Sequence, residues 1–457
     1  MTKKIKIIFL VLCCCFLKRA TAQNWDSLTS GIPYGGNIYC MYGDSADNYL
    51  YVGGTFNSAG GLPIIGLARW NDTIFSSMGY TGYVRSMTRY HDTLYASGNF
   101  QPTIKRYVGK WNGTSWDTIG QLHGYGDVFN YAEFGNDLYV VGAFDSIAHT
   151  HANNIAKWDG TNWSSLKDTT FNAGIYAVAV YKNELYIGGT FYNTSTGVHG
   201  IAKWNGTNFV RLSNGGIYGG MDDIVDMVVY KNELYVSGTF SKADGNVGNY
   251  IQKWNDTTWS EVGGGVTGLS GANGQIQDMK IDGNYLYVVG DFQIAGGISA
   301  NYVARWDGTN WCSFGSSVDN ILVATAFKNG DMYVAGPFQK IDGDSISEIA
   351  KWIGGPYIDT CGHLTTGINE VQINNETLNI YPNPATNQIT IEFESLLQQN
   401  YLMEIRNILG QIVYSETMKN VSGKQAKNID LSMIESGVYF VRLQGEKESI
   451  SKKFIKD

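Results

Sequence analysis

The chain is poor in charged residues and in cysteine. Asp, Glu, Lys and Arg make up 16% of its 457 residues, against about 25% in an average globular protein. With a net charge of −8 and no basic run beyond the N-terminus, it offers no electrostatic surface for nucleic acid. Outside residues 1–22 only Cys40, Cys312 and Cys361 are present. They are too few and too scattered for a disulfide framework, so we expect small buried side chains.

Apolar runs long enough to cross a bilayer, which needs about 20 residues, are also lacking. The most apolar stretch, residues 7–17, follows Lys3, Lys4 and Lys6 and precedes Ala20-Thr21-Ala22. A basic start, a short apolar run and an A-x-A site are typical of a secretory signal peptide. We therefore expect residues 1–22 to direct export, and we expect no transmembrane segment.

Glycine and tyrosine are abundant instead, with 56 and 30 residues, which favours a turn-rich all-β protein. One phrase recurs seven times, from "LYVGGTF" at Leu50 to "MYVAGPF" at Met332. Its closing phenylalanines are Phe56, Phe100, Phe144, Phe191, Phe240, Phe292 and Phe338, spaced by 44 to 52 residues. Repeats of roughly 40–50 residues built from short strands are typical of propeller blades.

Each repeat divides into four strands. The first follows I-x-x-(M/V)-x-x-Y, the second is the "LYVGGTF" phrase, and the third and fourth form a hairpin such as "AKWDGTNW" from Ala156. Because Asp-Gly and Asn-Gly favour a two-residue type I′ turn, we expect Trp158 to face Thr161 and Ala156 to face Trp163. The two tryptophans would then be diagonal neighbours on one face.

The seventh hairpin breaks off after Lys351-Trp352, and its missing strand resembles the segment that follows the predicted cleavage site, Gln23-Asn24-Trp25-Asp26-Ser27-Leu28. Pairing these two segments would close a ring and remove exposed strand edges. The sequence therefore predicts a seven-bladed β-propeller over residues 23–355, closed by its N- and C-terminal strands. Tight turns occupy one face, and long loops, where function usually lies, occupy the other.

A different β pattern begins after a linker at residues 356–376. Its specific pieces are Tyr381-Pro382-Asn383-Pro384-Ala385, Gly410-Gln411-Ile412-Val413, Ser436-Gly437-Val438-Tyr439 and the basic Lys452-Lys453. Residues 377–457 resemble the type A C-terminal sorting domain of the type IX secretion system of Bacteroidota. Alternating runs bounded by Asn, Gly and Pro predict a small Ig-like sandwich of about seven strands. The resemblance implies passage through the periplasm and outer membrane, and release or attachment at the cell surface. The secretion machinery is the implied partner of this domain.

The repeats are similar to the "GGTF…IAKWDGTSW" propellers secreted by the same bacteria, and more distantly to kelch-like blades. This resemblance supports a fold and supplies no activity. The recurring tryptophans are therefore interpreted as packing elements. Exposed loop aromatics are the better candidates for ligand contact, and those on the long-loop face are Tyr34, Tyr125, Phe171 and Tyr218.

Acidic residues provide a second set of candidates. The third positions of the seven first strands are read as Cys40, Ser86, Asn130, Ala177, Asp226, Asp278 and Val323. Asp226 and Asp278 come from neighbouring blades and could act together as acid and base or hold a cation. Alternatively, they could bind backbone groups as buried side chains.

Metal binding has weaker support. His149 and His151 form a His-x-His pair and His199 lies in a later loop, but no carboxylate or cysteine at ligand spacing completes a site. The loops at Asp342-Gly343-Asp344 and Asp244-Gly245-Asn246 suit calcium or an ordinary turn equally. We expect no resident cofactor.

Three functions remain open. The first is a secreted or surface-displayed module that binds a glycan or a protein through its long-loop face, which the sequence favours over catalysis. The second is an extracellular enzyme that acts on polysaccharide through Asp226 and Asp278. The third is a structural component of a surface layer.

Overall fold

The computed structural model describes residues 25–79, 82–99, 105–124, 126–166, 171–193, 197–212, 217–243, 246–269, 274–314, 316–354, 378–407, 412–444 and 449–457. These ranges contain many small antiparallel sheets and no α-helix, which confirms the all-β prediction. The chain divides into two compact units, residues 1–362 and 363–457. The predicted signal peptide and the predicted linker lie outside the described residues.

Seven sheets in the first unit share a core of four strands, and we number them 1 to 7 along the chain. Their first strands are Ile38–Asp44, Val84–Tyr90, Val128–Phe134, Ile175–Tyr181, Ile217–Tyr230, Gln275–Asp282 and Ala324–Lys328. The second strands are Tyr49–Gly54, Thr93–Gly98, Asp137–Gly142, Glu184–Asn193, Glu233–Ala243, Tyr285–Asp291 and Asp331–Ala335. Each first strand pairs with the second strand that follows it.

The outer half of each sheet is a second hairpin. The third strands are Leu67–Trp70, Arg106–Trp111, Ile155–Trp158, Val198–Trp204, Ile251–Trp254, Val303–Trp306 and Ile349–Trp352. The fourth strands of sheets 1 to 6 are Phe75–Ser77, Trp116–His123, Trp163–Ser165, Phe209–Val210, Trp259–Glu261 and Trp311–Ser313. Two-residue strands in the loops are Ser146–Ile147, Thr150–His151, Asn246–Val247, Val266–Thr267, Ile294–Ala295, Ile298–Ser299, Lys340–Ile341 and Asp344–Ser345.

Sheet 7 takes its fourth strand from the other end of the unit. Trp25–Ser27 pairs antiparallel with Ile349–Trp352, with Trp25 opposite Trp352. The Trp25 side chain is fully buried, and its indole N–H donates to Ser316 Oγ at 2.7 Å. Its ring lies 4.9 Å from that of Trp352. In sheet 3 the corresponding rings of Trp158 and Trp163 are 5.0 Å apart.

The third-to-fourth hairpin differs from the predicted one. Trp158 pairs directly with Trp163 and Ala156 with Ser165, so the loop has four residues and the predicted register is wrong. The reason is the Asp159 carboxylate, which accepts the backbone N–H groups of Thr161 and Asn162 at 2.8 and 2.7 Å. These side-chain bonds stabilise an Asx turn that a two-residue loop cannot contain. Two successive positive φ angles, as a type I′ turn requires, occur instead between first and second strands, for example at Lys182 and Asn183.

Neighbouring sheets are joined through their first strands. Each first strand contacts that of the next sheet, and the first strand of sheet 7 contacts that of sheet 1. Hydroxyl groups at strand ends add hydrogen bonds to backbone carbonyls of the next sheet, from Tyr90 to Asn136, Tyr181 to Asn232 and Tyr230 to Asn284. Lys328, at the same position in sheet 7, donates to the carbonyl of Asn48 in sheet 1 at 3.3 Å.

Cys312 departs from the expectation for the cysteines. Its side chain is fully buried, as predicted, but it is disulfide-bonded rather than free. Cys40 is a free thiol. Cys361 lies outside the described residues.

In the described part of the second unit there are five strands, which belong to one sheet: Asn379–Tyr381, Gln388–Asn407, Ile412–Asp430, Gly437–Gln444 and Ser449–Lys456. This number is smaller than the expected seven or so, because two of the five strands are long, with 20 and 19 residues. Their apolar faces form a core that includes Ile391, Met403, Val441 and Phe454.

Candidate functional site

A β-bulge recurs at the start of the first strands. In sheets 1 to 6 the pairing register shifts between the first and third positions, as between Ile38 and Cys40 in sheet 1. The residue between them has no partner in the ladder, and a bulge re-aims such a side chain. The second-position residues are Tyr39, Arg85, Phe129, Tyr176, Val225 and Gln277, followed by Val323 in sheet 7, and all are half-buried.

The glycine that ends each "LYxxG" phrase makes this bulge possible. These glycines are Gly54, Gly98, Gly142, Gly189, Gly238, Gly290 and Gly336. A Cβ at any of them would lie 1.8–2.3 Å from the carbonyl oxygen of the residue just before the first position of its own sheet. In sheet 1 that carbonyl, of Asn37, accepts the N–H of Thr55 at 2.8 Å. Only glycine leaves room for this approach.

Four consecutive second-position side chains form a continuous row, which we call the arginine–aromatic row: Tyr39, Arg85, Phe129 and Tyr176. The Arg85 guanidinium carbon lies over the rings of Tyr39 and Phe129, at 5.1 and 5.3 Å from their centroids. The Phe129 and Tyr176 rings are 5.1 Å apart. Each cation–π contact contributes about 0.5–1 kcal/mol at a partly exposed site. The row therefore has a fixed shape on the long-loop side of the first strands.

A polar network lies beside the row. The Tyr83 hydroxyl donates to the Asp127 carboxylate at 2.8 Å and accepts from Arg106 Nε at 2.8 Å. The Tyr83 ring meets that of Tyr39 edge-on at 6.4 Å. Burial raises the pKa of Asp127 above its usual value, although Tyr83 and Arg106 oppose the shift. Arg106 thus has a carboxylate partner 3.3 Å away.

The Asp226 and Asp278 carboxylates connect neighbouring first strands. Asp226 accepts the N–H of Met227 in its own strand and that of Met279 in the next sheet, both at 2.8 Å. Asp278 accepts the N–H of Thr325 in sheet 7 at 2.8 Å and forms an ion pair with Lys280. The innermost edge of a sheet leaves N–H groups unpaired, and these carboxylates satisfy them. Burial raises the pKa of Asp226 to about 7, with Lys280 opposing and Asp278 adding to the shift.

The strand register corrects one assignment. Ala324, opposite Ala335, corresponds to Cys40 opposite Gly53, so Val323 occupies the second position rather than the predicted third. The offset arises because the first strand of sheet 7 departs from the I-x-x-M spacing. Cys40 itself is a poor nucleophile, because burial raises the pKa of its thiol to about 12.

The four predicted loop aromatics differ in their exposure. Tyr34 is 63% exposed, as expected. Phe171 is 6% exposed and packs against Phe191 and Phe209 at 4.7 and 5.3 Å, so its expected exposure is wrong, because the loop turns its ring into the core. Tyr218 belongs to the strand Ile217–Tyr230, and nothing is described of its side chain. Tyr125 lies outside the described residues.

The histidines do not converge. His149 has a φ of 72° in the turn before Thr150–His151, and His199 packs edge-on against Tyr192 at 5.9 Å. In the part of the chain that the structure describes, no group of three or more His, Cys, Asp or Glu side chains could hold a metal ion. Asp342 accepts the N–H of Ser317 at 2.8 Å, as in an ordinary loop contact. Asp244 and Gly245 lie outside the described residues.

A cleft of about 640 Å³ opens at the opposite, tight-turn end, between sheets 1 and 2. Its walls include Tyr49, Arg69 and Trp111. The Arg69 guanidinium stacks over the Tyr49 ring at 4.7 Å, and its Nε donates to Ser76 Oγ at 3.1 Å. Arg69 at the tight-turn end is therefore stacked on an aromatic ring as Arg85 is, but Arg69 also has a hydrogen-bond acceptor.

The loop that carries Tyr34 is tied to sheet 7 by Glu348. This side chain is 2% exposed, and its Oε1 accepts the N–H of Gly35 at 3.0 Å. Burial raises the pKa of Glu348 from 4.5 to about 7, and the bond from Gly35 only partly opposes the shift. The ionised carboxylate is therefore costly in the folded state.

We expect Glu348→Gln to stabilise the protein at pH 8 and to leave it unchanged near pH 4.5. A carboxyl whose folded pKa is raised binds more protons when folded, so its contribution falls as pH rises from about 4.5 to about 7. Gln keeps the acceptor for Gly35 and does not ionise. The gain at pH 8 should be about 3 kcal/mol in the free energy of unfolding, measured with urea. The control is Glu261→Gln, at an exposed residue that also accepts a backbone N–H. A loss of stability that is equal at both pH values would contradict the prediction.

The second unit positions the predicted sorting residues. Tyr439 is buried against Phe454, with ring centroids 5.7 Å apart, and its hydroxyl donates to the carbonyl of Glu435 at 2.8 Å. Asn383 Oδ1 accepts the N–H of Ile455 at 2.9 Å. Lys452 Nζ donates to the carbonyl of Leu378 at 2.8 Å.

The other sorting residues are described by their exposure or backbone. Tyr381 is 45% exposed, and Pro382 and Pro384 follow cis peptide bonds. Gly437 begins the fourth strand of this unit, and the Lys453 side chain is exposed.

Residues 379–457 match the secretion system C-terminal sorting domain family. Residues 379–457, within the second unit, therefore have the sequence of a sorting domain. Its presence indicates export through the type IX secretion system, to the cell surface or the medium, and makes the secretion machinery a partner of this chain. No helix among the described residues has the length and apolar character needed to cross a membrane. No curated protein matches the chain in sequence.

Proposed function

We propose that the seven sheets are the blades of a closed β-propeller spanning residues 23–355. Three observations support this arrangement: the common four-stranded core, the contacts between successive first strands, and the pairing of Trp25–Ser27 with Ile349–Trp352. In this proposal residues 1–22 are a signal peptide, residues 356–376 are a linker, and residues 377–457 form an Ig-like domain of the kind carried by secreted Bacteroidota proteins.

We further propose that the propeller is a binding module delivered to the cell exterior. The observation that carries the proposal is the arginine–aromatic row, which places Tyr39, Arg85, Phe129 and Tyr176 side by side at the long-loop mouth of the first strands. Aromatic and arginine side chains dominate binding energy at interfaces. Held by bulges in rigid strands, they are ordered before a ligand arrives, which lowers the entropic cost of binding.

Binding is favoured over catalysis because the two candidate carboxylates have other partners. Both oxygens of Asp226 accept backbone N–H groups, and those of Asp278 are divided between Thr325 and Lys280. A general acid or base needs a free oxygen within reach of its substrate. These contacts instead suit residues that hold adjacent blades together.

The test is a screen of the purified protein against glycans and extracellular matrix proteins, followed by the double variant Tyr39→Ala/Phe129→Ala. We expect affinity for the ligand found to fall at least about tenfold, since both rings would be central contacts. Tyr49→Ala is the matched control, because it removes an arginine-stacked tyrosine at the tight-turn end. Undiminished binding by a folded double variant, or no ligand in the screen, would overturn the proposal.

A further inference from the structure

Arg85 differs from the other arginines beside it in its partners. Arg106 is 3.3 Å from the Asp127 carboxylate, and Arg89 forms an ion pair with Asp44. The Arg85 guanidinium has ring faces on both sides and, among the described residues, no hydrogen-bond acceptor and no ion pair within 4 Å. The Asp127 carboxylate, on which Arg85 acts only at longer range, is already bound by Tyr83 and Arg106. Its N–H donors are thus positioned by stacking and remain free to bind something else.

The exposed rim of the row favours negative charge. An aromatic ring is electron-rich on its faces and electropositive at its edge. Because Arg85 covers one face each of Tyr39 and Phe129, the accessible parts near it are ring edges and guanidinium N–H groups. Both are electropositive. A guanidinium edge also offers two parallel donors that match a planar carboxylate.

The ends of the row favour a sugar ring. Tyr176 contacts only Phe129 among the members of the row, in a tilted arrangement that leaves one ring face uncovered by them. At the other end, Tyr39 has Arg85 over its ring and meets Tyr83 edge-on. Both rings are half-buried and therefore partly accessible. The C–H face of a pyranose can pack on such an aromatic face. A ligand with sugar rings and carboxylates would use the end rings and the central guanidinium together.

We propose that the arginine–aromatic row binds an acidic polysaccharide, a chain of pyranose units that carry carboxylates, with Arg85 as the bidentate carboxylate ligand. This inference rests on the proposed binding function and names the class of its ligand. The aromatic end rings distinguish this class from an acidic peptide, which has carboxylates and no sugar face.

The first experiment uses the unaltered protein and titration calorimetry with four probes: oligogalacturonate, its methyl ester, a neutral oligosaccharide of the same length, and oligoglutamate. We expect oligogalacturonate to bind at least about tenfold more tightly than the other three, since hydrogen bonds to a charged group are the stronger ones. Equal binding of the methyl ester would overturn the role of the carboxylate. Equal binding of oligoglutamate, or no binding of oligogalacturonate, would overturn the ligand class.

The second experiment uses variants with matched charge. We expect Arg85→Gln to weaken oligogalacturonate binding about 10- to 100-fold and Arg85→Lys to restore only part of it, because an ammonium lacks the planar fork. Arg69→Gln removes the same charge at the tight-turn end and should leave affinity unchanged. Full affinity of Arg85→Gln would overturn the inference. If the protein instead binds a neutral glycan or a protein, and this binding requires Tyr39 and Phe129 but not Arg85, the inference about the ligand class is wrong and the proposed binding function is still supported.

Discussion

Trp25→Ala should lower the free energy of unfolding of the first unit by about 3–5 kcal/mol, the usual cost of emptying a large aromatic site in a core. The Trp25 side chain is fully buried, packs on Trp352 and donates to Ser316. The residue that replaces it would leave a cavity and would remove the donor that Ser316 Oγ accepts from. Calorimetric melting should show a fall of at least about 5 °C in Tm. Deletion of residues 23–28 should have a larger effect, because it removes a whole strand.

Asp26→Ala is the matched control, since Asp26 lies in the same strand and its side chain is exposed. It should change stability by no more than about 0.5 kcal/mol. Combining Trp25→Ala with Trp352→Ala should cost less than the sum of the two single changes, because the rings contact each other. Wild-type melting after deletion of residues 23–28 would show that the sheet 7 pairing does not contribute to stability.

Removal of residues 379–457 should move nearly all of the protein from the cell exterior to the periplasm of a host with a type IX secretion system. The deleted segment is the one that matches the sorting domain family. Fractionation and protease treatment of whole cells would measure the change. The first unit should remain folded in the periplasm, because the two units have separate cores.

Two point variants sharpen this experiment. Phe454→Ala empties a fully buried site beside Tyr439 and should reduce export as the deletion does, because it destabilises the fold that the machinery recognises. Met433→Ala is the control, at a side chain that is 96% exposed, and should be exported normally. Surface delivery of the deleted protein would contradict the assignment of export to this unit.

Repetition made the strand order of the first unit predictable. Seven copies of the second-strand phrase and six intact hairpins indicated the number of strands per repeat, and the broken seventh hairpin indicated where Trp25 would pair. The Asp159 turn was predicted wrongly because a pair such as Asp-Gly specifies a two-residue turn only when the Asp side chain makes no hydrogen bonds to the backbone of the loop. Here the carboxylate binds two backbone N–H groups, which selects a longer loop.

The candidate site was not predictable by the same reasoning. Strict alternation along a strand does not show which surface the second position of each first strand faces. The pattern therefore does not distinguish Tyr39, Arg85, Phe129 and Tyr176 as site residues. The signal was the glycine that ends each "LYxxG" phrase, such as Gly54, which makes room for the bulge that re-aims Tyr39. The exposure of Phe171 was predicted wrongly for a different reason. A position in a loop does not make a side chain exposed when apolar rings lie beneath that loop.

The pairing of Trp25 with Trp352 also constrains how the chain folds. The two partners are separated by nearly the whole first unit, and closing so long a loop precedes any gain from the contact, which slows folding. Sheet 7 cannot form until the strand Ile349–Trp352 has been synthesised. A nascent chain therefore keeps the strand Trp25–Ser27 without its partner throughout most of its translation. A ribosome that stops before residue 349 would release a chain with permanently open edges, and such edges promote aggregation.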